Sequence, residues 1–194
     1  MRFKFVSTLL VTATLAPALS QADGFSYSYL EGAYINTDLD HFNKDIDGLA
    51  LRGSFEITDN IFVFGGFSDQ STSIFNTDID LQSYQLGAGY AWPMGKDLDV
   101  YGKLAYVHAE ADVPGPNFND DGYLLGVGLR GRLVENLELE GGVNYTDLND
   151  TGNDTSLALG ARYFFTPQFA AGVEGEFGND ANTYGVNVRW SFGK

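Results

Sequence analysis

From Phe25 onward, apolar and polar positions alternate along the chain with period two, the pattern of strands whose two faces meet different surroundings. Ten such stretches can be drawn, over 25–36, 49–58, 61–70, 81–92, 98–110, 122–133, 137–147, 155–166, 169–178 and 183–192. Each is close to the ~9–11 residues of a tilted membrane-spanning strand. In the sixth, Tyr123, Leu125, Val127 and Leu129 share one face, while Gly126, Gly128, Arg130 and Arg132 fill most of the other. The seventh sets Leu137, Leu139, Val143 and Tyr145 against Glu138, Glu140, Asn144 and Thr146. Short turns at Asp59-Asn60, Pro93–Asp97, Val134–Asn136 and Thr166–Gln168 alternate with longer polar segments near 37–48, 71–80, 111–121, 148–154 and 179–182. Short turns on one side, longer loops on the other and an even strand number describe an all-β, antiparallel up-and-down transmembrane β-barrel. The expectation is ten strands; eight follow if two of the weaker stretches merge.

The aromatic residues say which face is outside. With the first strand running upward, Tyr34, Tyr84, Tyr106, Tyr123, Tyr145, Phe177 and Tyr184 gather near the loop end of the apolar face. Phe62, Trp92, Tyr163, Phe165, Phe169, Trp190 and Phe192 gather near the turn end. Two aromatic rings bracketing Leu, Val, Ala and Gly are the girdles of a lipid-facing surface, and a soluble core has no reason to sort them so. The other face carries Glu31, Arg52, Glu56, Asp99, Lys103, Arg130, Arg132, Glu138, Glu140, Arg162, Glu174, Glu176 and Arg189. Six basic and seven acidic groups nearly cancel, which predicts an internal ion-pair network. A three-residue turn at 134–136 puts Leu133 opposite Leu137, Arg132 opposite Glu138 and Arg130 opposite Glu140, and directly opposed charges attract.

Residues 1–22 read as an export signal. Arg2 and Lys4 precede a mostly apolar run from Phe5 to Leu19, and Ser20-Gln21-Ala22 supplies small residues for cleavage after Ala22. That run is shorter than the ~20 residues of a spanning helix and contains Pro17. Residues 23–194 then form the barrel. The formal net charge is −15, and becomes −17 once Arg2 and Lys4 are removed. So acidic a surface repels phosphate backbones, which excludes nucleic acid as a partner. With 24 glycines, 14% aromatics and no cysteine, the chain suits a β-architecture and has neither disulfides nor thiolate metal sites.

The closing Tyr184-x-Val186-x-Val188-x-Trp190-x-Phe192 resembles the small outer-membrane barrels of Gram-negative bacteria, the OmpA- and OmpX-like group. Ser26-Tyr27-Ser28-Tyr29-Leu30-Glu31-Gly32-Ala33-Tyr34, Val63–Phe67 and Leu86–Tyr90 are similar to a family of small diffusible-signal-factor-regulated outer-membrane proteins of xanthomonads and relatives. The resemblance spans the mature chain and implies the fold more than any activity. It also implies residence in the bacterial outer membrane, with release in vesicles open. Partners so implied are outer-membrane lipid, lipopolysaccharide and, through the terminal aromatic strand, the barrel assembly machinery; here Gly193 and Lys194 follow Phe192.

Two functions follow from a charged lumen. One is a structural or surface-interaction barrel, largely plugged by its charges together with Tyr29, Tyr101 and Phe164. The other is a small ion-conducting channel, with inward Gly87, Gly89, Gly126, Gly128 and Gly160 leaving space. An enzyme is not expected. His41 sits in an acidic loop beside Asp38 and Asp40, and parity turns His108 outward with no serine or aspartate placed to form a triad. No cofactor is implied. Asp45 and Asp47 are weak candidates for a divalent cation, because the glutamate of a calcium loop is missing. A closed barrel needs no partner to cover its edges, so a monomer is expected.

Overall fold

The computed structural model describes residues 24–39, 45–74, 77–112 and 118–192. The expected signal peptide and His41 lie outside them. Ten strands follow in order: β1 Tyr29–Leu39, β2 Ile46–Glu56, β3 Ile61–Ile74, β4 Thr77–Pro93, β5 Leu98–Asp112, β6 Phe118–Val134, β7 Leu137–Leu148, β8 Gly152–Phe164, β9 Phe169–Phe177 and β10 Ala181–Ser191. Each pairs antiparallel with the next, and β10 pairs with β1 to close the barrel. Directly paired residues climb as they go round: Tyr29, Ser54, Phe64, Gly87, Ala105, Leu124, Thr146, Asp154. That path leaves the short-turn end of β1 and arrives at the opposite end of β8. This stagger tilts the strands, as closure requires.

The outside of the barrel is apolar and the inside charged, the reverse of a soluble protein. Leu86 is 69% exposed and Val127 64%, whereas Glu31 is 1% and Arg130 3%. Of the girdle residues, Tyr34, Tyr84, Tyr123, Tyr184, Trp92, Phe165, Phe169, Trp190 and Phe192 are exposed on the outer face, and Tyr145 is half-buried against Tyr123. Tyr90 joins the lower ring by packing on Trp92, with centroids 4.4 Å apart. Phe62 does not belong there. It is buried in the lumen with Phe25, Tyr27, Ala91 and Tyr101, because β3 pairs it with Glu56 and Gly89 on the inward face.

The polar segments expected as long loops are partly ladder. Ile74 pairs with Thr77, and Ala111 with Phe118, so β3–β6 continue past the aromatic ring. Both faces of those extensions meet water, so alternation fades while backbone pairing persists. The β6–β7 turn is also tighter than expected. Val134, not Leu133, pairs with Leu137, and an irregularity between Arg132 and Val134 leaves Leu133 unpaired. At the β7–β8 turn Gly152 has φ +98°, a conformation side-chain-bearing residues rarely adopt.

Two of the inward glycines, Gly89 and Gly128, seat rings, and Gly126 seats the Lys103 side chain. A Cβ on Gly89 would stand 2.2 Å from the Phe62 ring, one on Gly126 2.5 Å from Lys103, and one on Gly128 2.5 Å from the Tyr101 ring and hydroxyl. Gly160 alone of the five has nothing nearer than 3.9 Å. Gly128→Val therefore displaces Tyr101 from its bond to Glu140 and lowers barrel stability by ~1–3 kcal/mol, the usual scale of overpacking. Urea unfolding of the refolded barrel, followed by its heat-modifiable gel mobility, measures this. An unchanged midpoint would mean that the ring has another seat.

Candidate functional site: the lumen floor

The lower third of the lumen is crossed by ion pairs. Register sets Glu31 directly between Arg52 on β2 and Arg189 on β10. Its Oε1 accepts from Arg52 Nη1 at 3.1 Å, and its Oε2 from Arg189 Nε at 2.9 Å and Arg162 Nε at 3.2 Å. Glu138 accepts from Arg130 Nη2 at 2.9 Å and Arg162 Nη1 at 3.3 Å, with Arg189 Nη1 at 3.8 Å. Glu140 accepts from Arg162 Nη1 at 2.7 Å and from the Tyr101 hydroxyl at 2.9 Å. Arg52 also reaches Glu174 at 2.7 Å, and Arg189 lies over the Tyr29 ring at 3.7 Å. Arginine suits this arrangement because its planar fork serves several carboxylates at once.

The structure brings together Glu31, Arg52, Arg130, Glu138, Glu140, Arg162, Glu174 and Arg189. Five other expected members stand apart, Asp99 among them as the acceptor of the Tyr27 hydroxyl. Arg132 pairs with Asp97 at 3.4 Å, Glu56 accepts from Ser28, Glu176 accepts from Asn144 and Ser156, and Lys103 lies over Gly126. Among the described residues Lys103 has no carboxylate within ion-pair distance. Arg132 and Arg130 do stand opposite Glu138 and Glu140 in register, but the bonds run diagonally: Arg130 takes Glu138, and Arg162 takes Glu140. Direct opposition is an incomplete guide inside a barrel, where long side chains also reach partners across the lumen.

A second component was not foreseen. The segment Gly24–Ser28 precedes β1 and turns into the mouth at the short-turn end instead of lengthening the strand. Arg130 Nη1 donates to the Ser26 carbonyl at 2.8 Å, and Arg132 Nη2 to the Gly24 carbonyl at 3.3 Å. Arg130 lies 5.0 Å from the Phe25 ring centre and 4.9 Å from that of Tyr27. Tyr27 stacks on Phe62 at 4.6 Å and donates its hydroxyl to Asp99 at 3.2 Å. The available signal was parity, since Phe25 and Tyr27 share the face of Tyr29 and Glu31. Above the floor lies a cavity of ≈ 460 Å³ lined by Arg52, Lys103, Gln85, Asn144 and Glu176 among others. Below it lies one of ≈ 160 Å³, bordered by Gly24, Phe25, Arg132 and Thr166. Among the described residues Arg130 alone is common to both linings.

On the outer face, β5–β6 pairing sets His108 beside Asp121, whose carboxylate accepts from His108 Nδ1 at 2.7 Å and from the Tyr106 hydroxyl. His108 thus has an acid partner that the sequence did not reveal. Asp45 and Asp47 are exposed, and Asp47 accepts from Asn36 at 3.0 Å. Among the described residues no three His, Asp or Glu side chains gather as a metal site.

The outer-membrane protein beta-barrel domain model matches residues 6–192. The chain belongs to that family. Membership puts the barrel in the bacterial outer membrane, in keeping with its apolar exterior and aromatic rings. The NanC porin, 11% identical, superposes with a TM-score of 0.55 over 84% of this chain and 100% of its own, a likeness of fold. Ail of Yersinia pestis, solved with the heparin analogue sucrose octasulfate, is 17% identical with a TM-score of 0.46 over 84% and 95%. The N-terminal barrel of Pseudomonas aeruginosa OprF is 13% identical with a TM-score of 0.45 over 85% and 98%. No curated protein matches the chain.

Glu31→Ala removes an acceptor shared by three arginines, leaves Arg189 with Glu138 alone at 3.8 Å, and costs ~3–5 kcal/mol, the scale for breaking a buried ion pair. Arg132→Ala, at a half-exposed pair, costs at most ~1 kcal/mol for the pair itself. Urea unfolding in lipid vesicles separates the two, and equal losses would deny Glu31 its central place. At the extracellular rim, Asp120 accepts from the Thr151 hydroxyl at 2.6 Å, the Thr151 amide at 2.7 Å and the Asp150 amide at 3.1 Å. These bonds, that from the Thr151 hydroxyl foremost, hold its carboxyl below the ordinary 3.8. The order Asp120 gives the β7–β8 turn is therefore complete above that value and lost as pH falls through the depressed one. The Thr151 amide resonance should titrate with a midpoint below 3.8, and Asp120→Asn should abolish that titration.

Proposed function

We propose that this barrel is a closed structural or surface-interaction element of the outer membrane, with its lumen sealed near the periplasmic end. The observation that supports this best is the Arg–Glu floor, in which Glu31 alone ties β1 to β2, β8 and β10. Guanidinium and carboxylate groups so bonded fill the space they span, and Arg130 stands between the two cavities. Function then lies on the outside. The acidic extracellular rim, including Asp38, Asp45 and Asp47, faces the medium and the anionic lipopolysaccharide, with divalent cations as the natural bridge between like charges. On this reading residues 1–22 direct export, the barrel assembly machinery inserts the chain, and the mature protein works as a monomer. The finer kinship is with the diffusible-signal-factor-regulated proteins.

One observation favours a second reading, a small ion channel. The upper cavity holds Lys103, a cation without an ion-pair partner among the described residues, as a channel lining would. Single-channel recording of the refolded mature protein in a planar bilayer decides between them. A silent, correctly folded barrel is expected; discrete charge-selective steps from the intact protein would replace the closed reading with the channel.

A further inference from the structure

The floor has two unlike halves. Glu31, Glu138, Glu140, Arg162 and Arg189 fill the side bounded by β1, β7, β8 and β10, and all of them hang from the barrel wall. The side bounded by β3–β6 is filled by Phe25 and Tyr27, which hang from no strand. The barrel ladder begins at Tyr29, which pairs with Ser191 and Ser54. Among the described residues, the one backbone bond from Gly24–Ser28 to a barrel strand or its end is Phe192 N to Ser28 O, 3.0 Å. Beyond Ser28 the segment crosses the mouth to β6, which lies five places from β1 in either direction round the barrel. It is fastened there through its carbonyls and rings by Arg130 and Arg132.

We propose that Gly24–Ser28 is a built-in plug, and that its displacement opens a path for small inorganic ions along the β3–β6 wall. The proposal rests on the intact barrel being closed. The plug stands where the two cavities approach each other, with Tyr27 lining the upper and Gly24, Phe25 and Ser26 the lower. Among the described residues no backbone group of the wall bonds to Gly24–Tyr27; Ser28, at the hinge, keeps its bonds to Phe192 N and Glu56. Arg130 retains Glu138, Arg132 retains Asp97, and every ladder register is untouched when the segment leaves. The path so opened is bounded by Phe62, Tyr101 and Asp99, with the Arg–Glu half still in place beside it.

The test compares three forms of the mature barrel in planar bilayers, each first shown to be folded by its heat-modifiable gel mobility. These are the intact chain, a deletion of residues 24–27, and Ser26→Cys. The chain has no cysteine of its own, so a charged methanethiosulfonate reacts only at position 26. Labelling after folding forces the segment out without asking a shortened chain to assemble. The expected result is silence from the intact barrel and discrete current steps from the deletion and from the labelled cysteine variant. A synthetic peptide of residues 24–28, added on the periplasmic side, should block the deletion's steps. Silence from both altered forms would overturn the plug while leaving the closed barrel standing. Equal steps from all three forms would overturn both.

Discussion

In the hydrocarbon of a bilayer no water is present to satisfy a backbone amide or carbonyl, so a spanning sheet has to end where it began. Everything else in this molecule is arranged around that closure. Tyr29 meeting Ser191 removes the two edges an open sheet would expose, and the steady climb of paired residues from β1 to β8 is the stagger that lets ten strands close. The outer side chains are then free to be whatever lipid prefers. The inner ones must fill a narrow space from which they cannot escape to bulk water.

That confinement explains why arginine dominates the interior. A buried charge is tolerable only when paired and fully hydrogen-bonded. A guanidinium with five donors can satisfy a carboxylate on a neighbouring strand and another across the lumen. Arg162 does so, touching Glu31, Glu138 and Glu140, one of them on a distant strand. The lysine of the interior, with its compact charge, sits instead beside the larger cavity. Rings take the remaining volume, and glycines on the facing strands give those rings flat ground.

The strand number was legible from period two, and the outward face from the two aromatic rings laid over it. What was not legible depended on contacts between distant strands. Ile61, Phe62, Val63 and Phe64 are apolar on both faces, so alternation is silent there and Phe62 was placed outside. Arg130 and Glu138 are eight positions apart, and the register opposes Arg130 to Glu140, so a register argument chose the wrong carboxylate. The tips of β3–β6 lacked a hydrophobic signal because water lies on both sides of them. The plug was hidden because its aromatic parity continues β1 without a break, while its backbone leaves the ladder.

Those same tips give the barrel an uneven crown. β3–β6 run to 14, 17, 15 and 17 residues, whereas β9 and β10 have 9 and 11. The protein therefore has a front and a back as seen from the medium. A large body arriving from above meets the raised hairpins of β3–β6 on one flank before it meets lipid. The barrel is round within the membrane and directional above it.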